Sequence, residues 1–160
     1  MRFLLVNNHC ISDPTAGVTQ SLRTIVEWLA DAGHACHILT TARFESAVTF
    51  TIDDHLRQLG VDVSRLASLH GPARRSGKTR RVADRPVAHY TVRDVPVTLL
   101  LTRHNDESRP DQAEARQYLA LLEKLLDDFA PDQLIACNGH PMIREAMAKA
   151  SPRCLAVVRR

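Results

Sequence analysis

Short apolar runs alternate with amphipathic stretches from the start of this chain. Residues 3–6 form an apolar run that predicts a strand near 3–7, and a second run predicts a strand near 35–40. Such short runs are typical of strands buried on both faces of a parallel sheet. Between them, apolar residues recur at helical spacing at Val18, Leu22, Ile25, Val26 and Leu29. The order strand, helix, strand predicts a right-handed βαβ unit with its helix near 18–32.

The same alternation continues towards the carboxyl end. Apolar runs predict strands near 133–137 and 154–158, and apolar residues stepping by three and four predict a helix near 111–129. A shorter helix is predicted over 142–150. Because helices and strands alternate, the predicted fold is α/β, with a Rossmann-like, mainly parallel sheet and helices on both faces.

A β-hairpin is predicted in the middle of the chain. Two strand-like runs, 87–92 and 95–101, are separated only by Arg93 and Asp94. Pro96 lacks the amide hydrogen that a central strand needs, so it indicates either an edge strand or the start of a strand.

Length and composition predict one domain that spans residues 1–160, with an apolar content of 44%. No apolar run approaches the roughly 20 residues needed to cross a bilayer. The apolar run at the N-terminus is too short for a signal peptide, so we expect a cytoplasmic protein. Arg159 and Arg160 directly follow the last predicted strand and leave no helix to cover it. We therefore expect this chain to be the front part of a longer protein.

Positive charge is concentrated in one stretch of the chain. Residues 70–85 contain six basic residues against Asp84, a net charge of +5, whereas the whole chain carries +3. Five of these basic residues are Arg74, Arg75, Lys78, Arg80 and Arg81. Because glycine, proline and serine are interleaved, the stretch predicts a surface loop.

Two roles for this basic loop stay open. It is either merely solvated or attracted to phosphate, on an anionic substrate or on a membrane lipid, where it would make peripheral contact. Nucleic acid is not favoured as a partner, because the stretch has no aromatic residue on which bases could stack. If the loop binds an anion, we expect it to gain order only with that partner.

Sequence motifs for cofactors and metals are absent. The chain has no dinucleotide-binding glycine motif, no P-loop and no G-x-S-x-G elbow. None of the eight histidines lies four positions from another, and the four cysteines are far apart. The sequence therefore predicts no metal, no cofactor and no disulfide framework.

The candidate site is inferred from where polar residues and glycines lie relative to the predicted strands. Polar residues and glycines follow two predicted strands, namely Asn8, His9 and Gly17 after the first and Asn138, Gly139 and His140 after the strand near 133–137. The carboxyl ends of parallel strands share one edge of a sheet, and α/β sheets bind ligands there. We therefore expect Gly17 and His140 to face one cleft. The alternative for His140 is a histidine with no role in the loop before a helix, and the alternative for His9 is a residue that only caps or solvates its loop.

Four segments, taken in order, resemble a known family. They are Met1-Arg-Phe-Leu-Leu-Val-Asn-Asn-His9, Asp13-Pro-Thr-Ala-Gly17-Val, Leu29-Ala-Asp-Ala-Gly-His34-Ala-Cys-His-Ile-Leu-Thr40 and Phe129-Ala-Pro-Asp132-Gln-Leu-Ile-Ala-Cys-Asn-Gly-His140. This order resembles the amino-terminal domain of retaining GT-B glycosyltransferases of the sucrose-synthase-like and mannosyltransferase-like group.

The resemblance implies transfer of a sugar from a nucleotide-sugar to an acceptor, without a metal. The pair Ala16-Gly17 would stand where the family has two glycines beside the donor, and His140 would be the catalytic histidine. Cys137 occupies the position at which the family pattern has that histidine. The family's carboxyl-terminal nucleotide-sugar domain is absent, so this chain alone should not turn over.

A second hypothesis comes from a different class of protein. The chain could be a stand-alone α/β binding module for a small anionic ligand or for a partner protein.

Overall fold

The computed structural model describes residues 1–13, 16–43, 56–57, 85–102, 112–136 and 139–158. Within them the chain forms β1 (Arg2–Val6), α1 (Gly17–Asp31), β2 (Ala35–Thr41), β3 (Val87–Val92), β4 (Val95–Leu100), α2 (Gln112–Asp128), β5 (Gln133–Ala136), α3 (Pro141–Ala150) and β6 (Leu155–Val158). The predicted strands and helices in this part of the chain are confirmed to within one or two residues.

The strands form one six-stranded sheet in the order β3-β4-β2-β1-β5-β6. All neighbouring strands run parallel except β3 and β4, which pair antiparallel as the predicted hairpin. The fold is therefore α/β with a Rossmann-like, mainly parallel sheet. Of the two alternatives predicted from Pro96, the edge strand is not the one observed, because β4 lies between β3 and β2. Pro96 instead sits at the start of the strand, just before the first β4–β2 pair at Val97.

Helices cover both faces of the sheet, as predicted. Phe3 and Leu5 of β1 pack on the α1 side, in a cluster with Leu22 of that helix. Leu4 and Val6 pack on the other side, in a cluster formed with α2 and α3. Alternate side chains of β1 thus enter two different cores, which explains its uninterrupted apolar sequence. Each such side chain contributes roughly 1.5–3 kcal/mol on burial.

One face of the edge strand β6 stays open. Leu155 and Val157 are 60% and 41% exposed, and they lie opposite Gln133 and Ile135 of β5. Helix α3 packs in the cluster on the opposite face of the sheet. The basic residues of the 74–81 stretch lie outside the described residues. No helix in the described part of the chain has the length and apolar character needed to span a membrane.

The end of α1 depends on Gly33. Its φ is +79°, in the left-handed region, and its amide donates to the Ala30 carbonyl at 2.9 Å. The next amide, that of His34, donates to the Leu29 carbonyl at 3.0 Å. The His34 ring packs against the Phe3 ring, with centroids 5.2 Å apart. This geometry satisfies the last carbonyls of the helix and turns the chain into β2.

Replacing Gly33 tests this helix end. We expect Gly33→Ala to lower the free energy of unfolding by about 1–2 kcal/mol, because a Cβ is disfavoured at positive φ. Gly17→Ala is the matched control, since Gly17 has no positive φ and an added Cβ would meet nothing within 4 Å. Urea unfolding followed by circular dichroism measures both. Equal stability of the two variants would contradict this account of the helix end.

Candidate functional site

The strand order reverses direction at β1. From β1 the chain moves through α1 to β2 on one side, and it later crosses through α2 to β5 on the other side of β1. Phe3 to Val6 pair in parallel with Gln133 to Ala136, so β1 and β5 end at the same edge. In open α/β sheets the crevice outside such a reversal is where ligands bind. The loops that carry Gly17 and His140 leave the sheet at this edge.

Helix α1 begins at this edge with an open backbone. Its N-cap residue, Ala16, is buried and has no side chain that could accept a hydrogen bond. Gly17 is exposed, and a Cβ placed on it would meet no atom within 4 Å. The first turn contains no acidic residue. The amino end of α1 therefore presents backbone amides and the positive end of the helix dipole to the crevice.

Helix α3 begins at the same edge, and His140 caps it. The Nδ1 atom of His140 accepts from the amide of Met142 at 3.3 Å, with Pro141 in the first turn. The sequence analysis did not predict this capping role for His140. Because Nδ1 accepts here, the proton of the neutral ring lies on Nε2. Gly139 precedes the cap, is exposed, and also has no neighbour within 4 Å of an added Cβ.

The loop after β1 is hydrogen-bonded to the end of β2. The carbonyl of Asn8 accepts from the Thr41 hydroxyl at 2.5 Å, and the carbonyl of His9 accepts from the Thr40 hydroxyl. Asn8 is buried and His9 half-buried. These two residues thus contribute backbone acceptors to the fold, and the loop is held in one arrangement.

Tyr118 links the site to α2. This fully buried phenol donates to the carbonyls of Asn7 and Leu39, at 3.2 and 3.1 Å. Burial raises the pKa of Tyr118, which keeps the hydroxyl in its donor form. The Asn7 side chain in turn donates to Thr19 in the first turn of α1, at 3.4 Å. The sequence predicted Tyr118 only as part of an apolar helix stripe, because its carbonyl partners lie far away along the chain.

Cys10 is buried in the same loop. Its amide donates to the carbonyl of Arg43 at 2.6 Å. Burial raises the pKa of the Cys10 thiol to about 12, with a smaller contribution from the charge of Asp13. Burial also raises the pKa of the neighbouring Tyr90. Near neutral pH this cysteine is a protonated thiol, so it is a structural residue and not a nucleophile.

A buried carboxylate joins two distant arginines. Glu114, in the first turn of α2, pairs with Arg43 at 3.1 Å and with Arg85 at 4.0 Å. Gln117, one turn on, donates to the Arg85 carbonyl at 2.6 Å and accepts from its amide at 2.7 Å. Arg43 and Arg85 flank residues 44–84, so Glu114 binds both ends of that segment. The sequence analysis missed this cluster, because no local pattern relates the three residues.

A polar pocket lies at the opposite, amino edge of the sheet. It is lined by Arg2, Leu126, Ala130, Pro131, Asp132 and Arg153. Two of its three charged side chains have partners within the chain, since Arg153 pairs with Asp127 at 2.6 Å and Asp132 accepts from the backbone amide of Arg2 at 2.7 Å. We therefore regard this pocket as the weaker candidate for a charged ligand.

The predicted site residues divide into two groups. Those that follow β1 and β5 at the carboxyl edge are Asn8, His9, Ala16, Gly17, Gly139 and His140. Those that lie outside the described residues are Cys137, Asn138, Arg74, Arg75, Lys78, Arg80 and Arg81. Among the described residues no cluster of three or more His, Cys, Asp or Glu side chains could hold a metal.

Comparison with known proteins gives little beyond the fold. No protein-family model and no curated protein matches the chain. Among solved structures it is similar to a protein from the universal stress protein family from Burkholderia pseudomallei. The two share 13% identity over 99% of this chain and 94% of the other, with a TM-score of 0.39. A match at this level identifies neither a ligand nor an activity.

The predicted resemblance to the GT-B glycosyltransferase family is wrong. No model of that family, or of any other, matches the chain. The residues that suggested it have structural reasons in this sheet. Gly33 ends α1 at positive φ, and His34 packs against Phe3. The Asp132 carboxylate accepts from the first amide of β1, that of Arg2. Any parallel α/β sheet with these connections can use the same residue types, so they do not identify a sugar-transfer site.

Removing the charge of Glu114 tests the buried cluster. We expect Glu114→Gln to lower the free energy of unfolding by about 3–5 kcal/mol, because it removes the charge that pairs with two largely buried guanidinium groups. Glu123→Gln is the matched control on the same helix, since Glu123 is exposed and pairs only at the surface with Lys149. Chemical unfolding measures both variants. A Glu114→Gln protein as stable as the Glu123→Gln protein would contradict a stabilising role for the cluster.

Proposed function

We propose that this chain is an α/β binding module for a small anionic ligand of the phosphate type. The ligand would bind in the crevice outside the carboxyl ends of β1 and β5. The observation that carries the proposal is that two helices begin at this crevice with an open glycine beside each start. Gly17 is the first residue of α1, and Gly139 precedes the N-cap of α3.

Helix dipoles give the crevice its preference for anions. Each amino end carries the equivalent of about half a positive elementary charge. Neither α1 nor α3 has an acidic residue in its first turn that would neutralise it. Backbone amides at the start of α1 can also donate hydrogen bonds directly to phosphate oxygens. At the start of α3, Pro141 has no amide hydrogen and the Met142 amide donates to His140, so α3 contributes mainly its dipole.

The glycines support close approach of a ligand. Glycine in a helix costs about 0.5–1 kcal/mol relative to alanine. At Gly17 and Gly139 neither a positive φ nor a crowded neighbour requires this residue. A ligand that contacts the bare backbone would require it, because a side chain there would occupy the ligand's space.

The expected affinity is modest. Among the described residues at this edge, the charges of buried Arg43 and partly buried Arg85 are balanced by those of buried Glu114 and Asp13. The attraction then depends on two helix ends, each worth about 0.3–1 kcal/mol, together with direct hydrogen bonds. We therefore expect inorganic phosphate to bind with a Kd on the order of millimolar. A ligand with more phosphate oxygens should bind more tightly.

Calorimetric titration with pyrophosphate tests the proposal. We expect saturable binding to the wild-type chain and at least a roughly tenfold weaker Kd for Gly17→Val, about 1.4 kcal/mol. Thr24→Val is the matched control, because it places the same side chain at an exposed position two turns along the same helix. It should bind as the wild type does. No saturable binding to the wild type, or equal binding to Gly17→Val, would contradict the proposed function.

A further inference from the structure

Three polar side chains connect three adjacent strands on the α2 side of the sheet. His37 Nε2 of β2 lies 2.9 Å from the Thr98 hydroxyl of β4, and that hydroxyl lies 3.3 Å from His89 Nδ1 of β3. His89 and Thr98 are opposite each other in the hairpin register. We call this row the His37–Thr98–His89 ladder. It lies on the face of the sheet away from α1 and takes no part in the proposed anion site.

The ladder has a limited capacity for protons. A threonine hydroxyl has one hydrogen to donate and can accept two hydrogen bonds. With both rings neutral, or with one of them protonated, the hydroxyl can donate to one ring and accept from the other. With both rings protonated, each would donate to Thr98, the hydroxyl hydrogen would have no acceptor in the ladder, and two cations would flank one oxygen.

We propose that the hydrogen bonds of the His37–Thr98–His89 ladder persist when one of its two rings is protonated but not when both are. Protonation of the second ring would then weaken the attachment of the outer strand β3 to the sheet. Strand β3 is the edge strand and pairs only with β4 among the described strands. Within the ladder, the exposed His89 of β3 contacts the buried Thr98 of β4. The ladder is thus an acid-sensitive link between β3 and the interior.

The surroundings of His37 agree with this limit. Leu4 lies opposite it on β1, and the Phe129 ring at the end of α2 lies 5.6 Å away between centroids. The titratable side chains in the last turn of α2, Asp127 and Asp128, are exposed, and Asp127 pairs with Arg153. Burial lowers the pKa of His37, and the charge of His89 lowers it further. No carboxylate of the described chain contributes to that shift.

The sign of the pH dependence follows from this lowered pKa. The unfolded chain takes up a proton near the ordinary value of 6.5, whereas folded His37 takes it up only at lower pH. Stability from this residue is therefore fully present above about pH 6.5 and is lost as the pH falls towards the folded pKa.

NMR titration of the histidine rings in the full chain, from about pH 8 to about pH 4.5, tests the proposal. In the wild type we expect the midpoint of the His37 curve to lie below the ordinary value of 6.5. In His89→Gln, which keeps a hydrogen-bonding side chain without the charge, the His37 midpoint should rise by about half a pH unit. His34→Gln is the matched control, because His34 packs against Phe3 outside the ladder. It should leave the His37 midpoint unchanged.

Hydrogen exchange supplies the second readout. After correction for intrinsic rates, protection of the β3 amides in the wild type should fall between about pH 7.5 and about pH 5, and fall less in His89→Gln. An unchanged His37 midpoint in His89→Gln would overturn the proposal. So would β3 protection that is constant over this pH range in the wild type.

Discussion

The structure depends on the parallel pairing of β1 with β2 on one side and with β5 on the other. Val6, the last residue of β1, lies opposite Leu39 and Ala136 in these two strands. Both faces of β1 are covered, so the polar chain that leaves it must find hydrogen bonds in protein and not in water. The hydroxyls of Thr40 and Thr41 donate to carbonyls of that loop, and the Tyr118 hydroxyl of α2 donates to the carbonyl of Asn7. The position of β1 therefore fixes the crevice and the path of the chain around it.

Periodicity was sufficient to predict most of the fold in the described residues. Short buried strands and amphipathic helices have different spacings of apolar residues, and these spacings need no knowledge of distant contacts. Pro96 shows where such reasoning ends. The sequence could not decide between an edge and a strand start, because the answer depends on where the pairing with β2 begins. The hairpin turn itself was predicted, and Arg93 and Asp94 both adopt the positive φ of a type I′ turn.

The candidate site was predicted in position but not in its internal chemistry. The loops after β1 and β5 share an edge because of topology, which the sequence could indicate. The role of Glu114, by contrast, could not be predicted from the sequence. Its partners, Arg43 and Arg85, are 71 and 29 positions away in the sequence, and only the folded chain brings them together. The family resemblance failed for a related reason, since a loop, a helix end and a strand start use similar residues in many α/β sheets.

The central claim is that an anion binds at the helix ends beside β1 and β5. Amide NMR of the 15N-labelled chain during titration with pyrophosphate tests it most directly, because each amide reports its own surroundings. The account predicts that the largest saturable shifts fall at Gly17, Val18 and Gly139. Largest shifts at Arg2 and Arg153, on the opposite edge of the sheet, or the absence of saturable shifts, would contradict it.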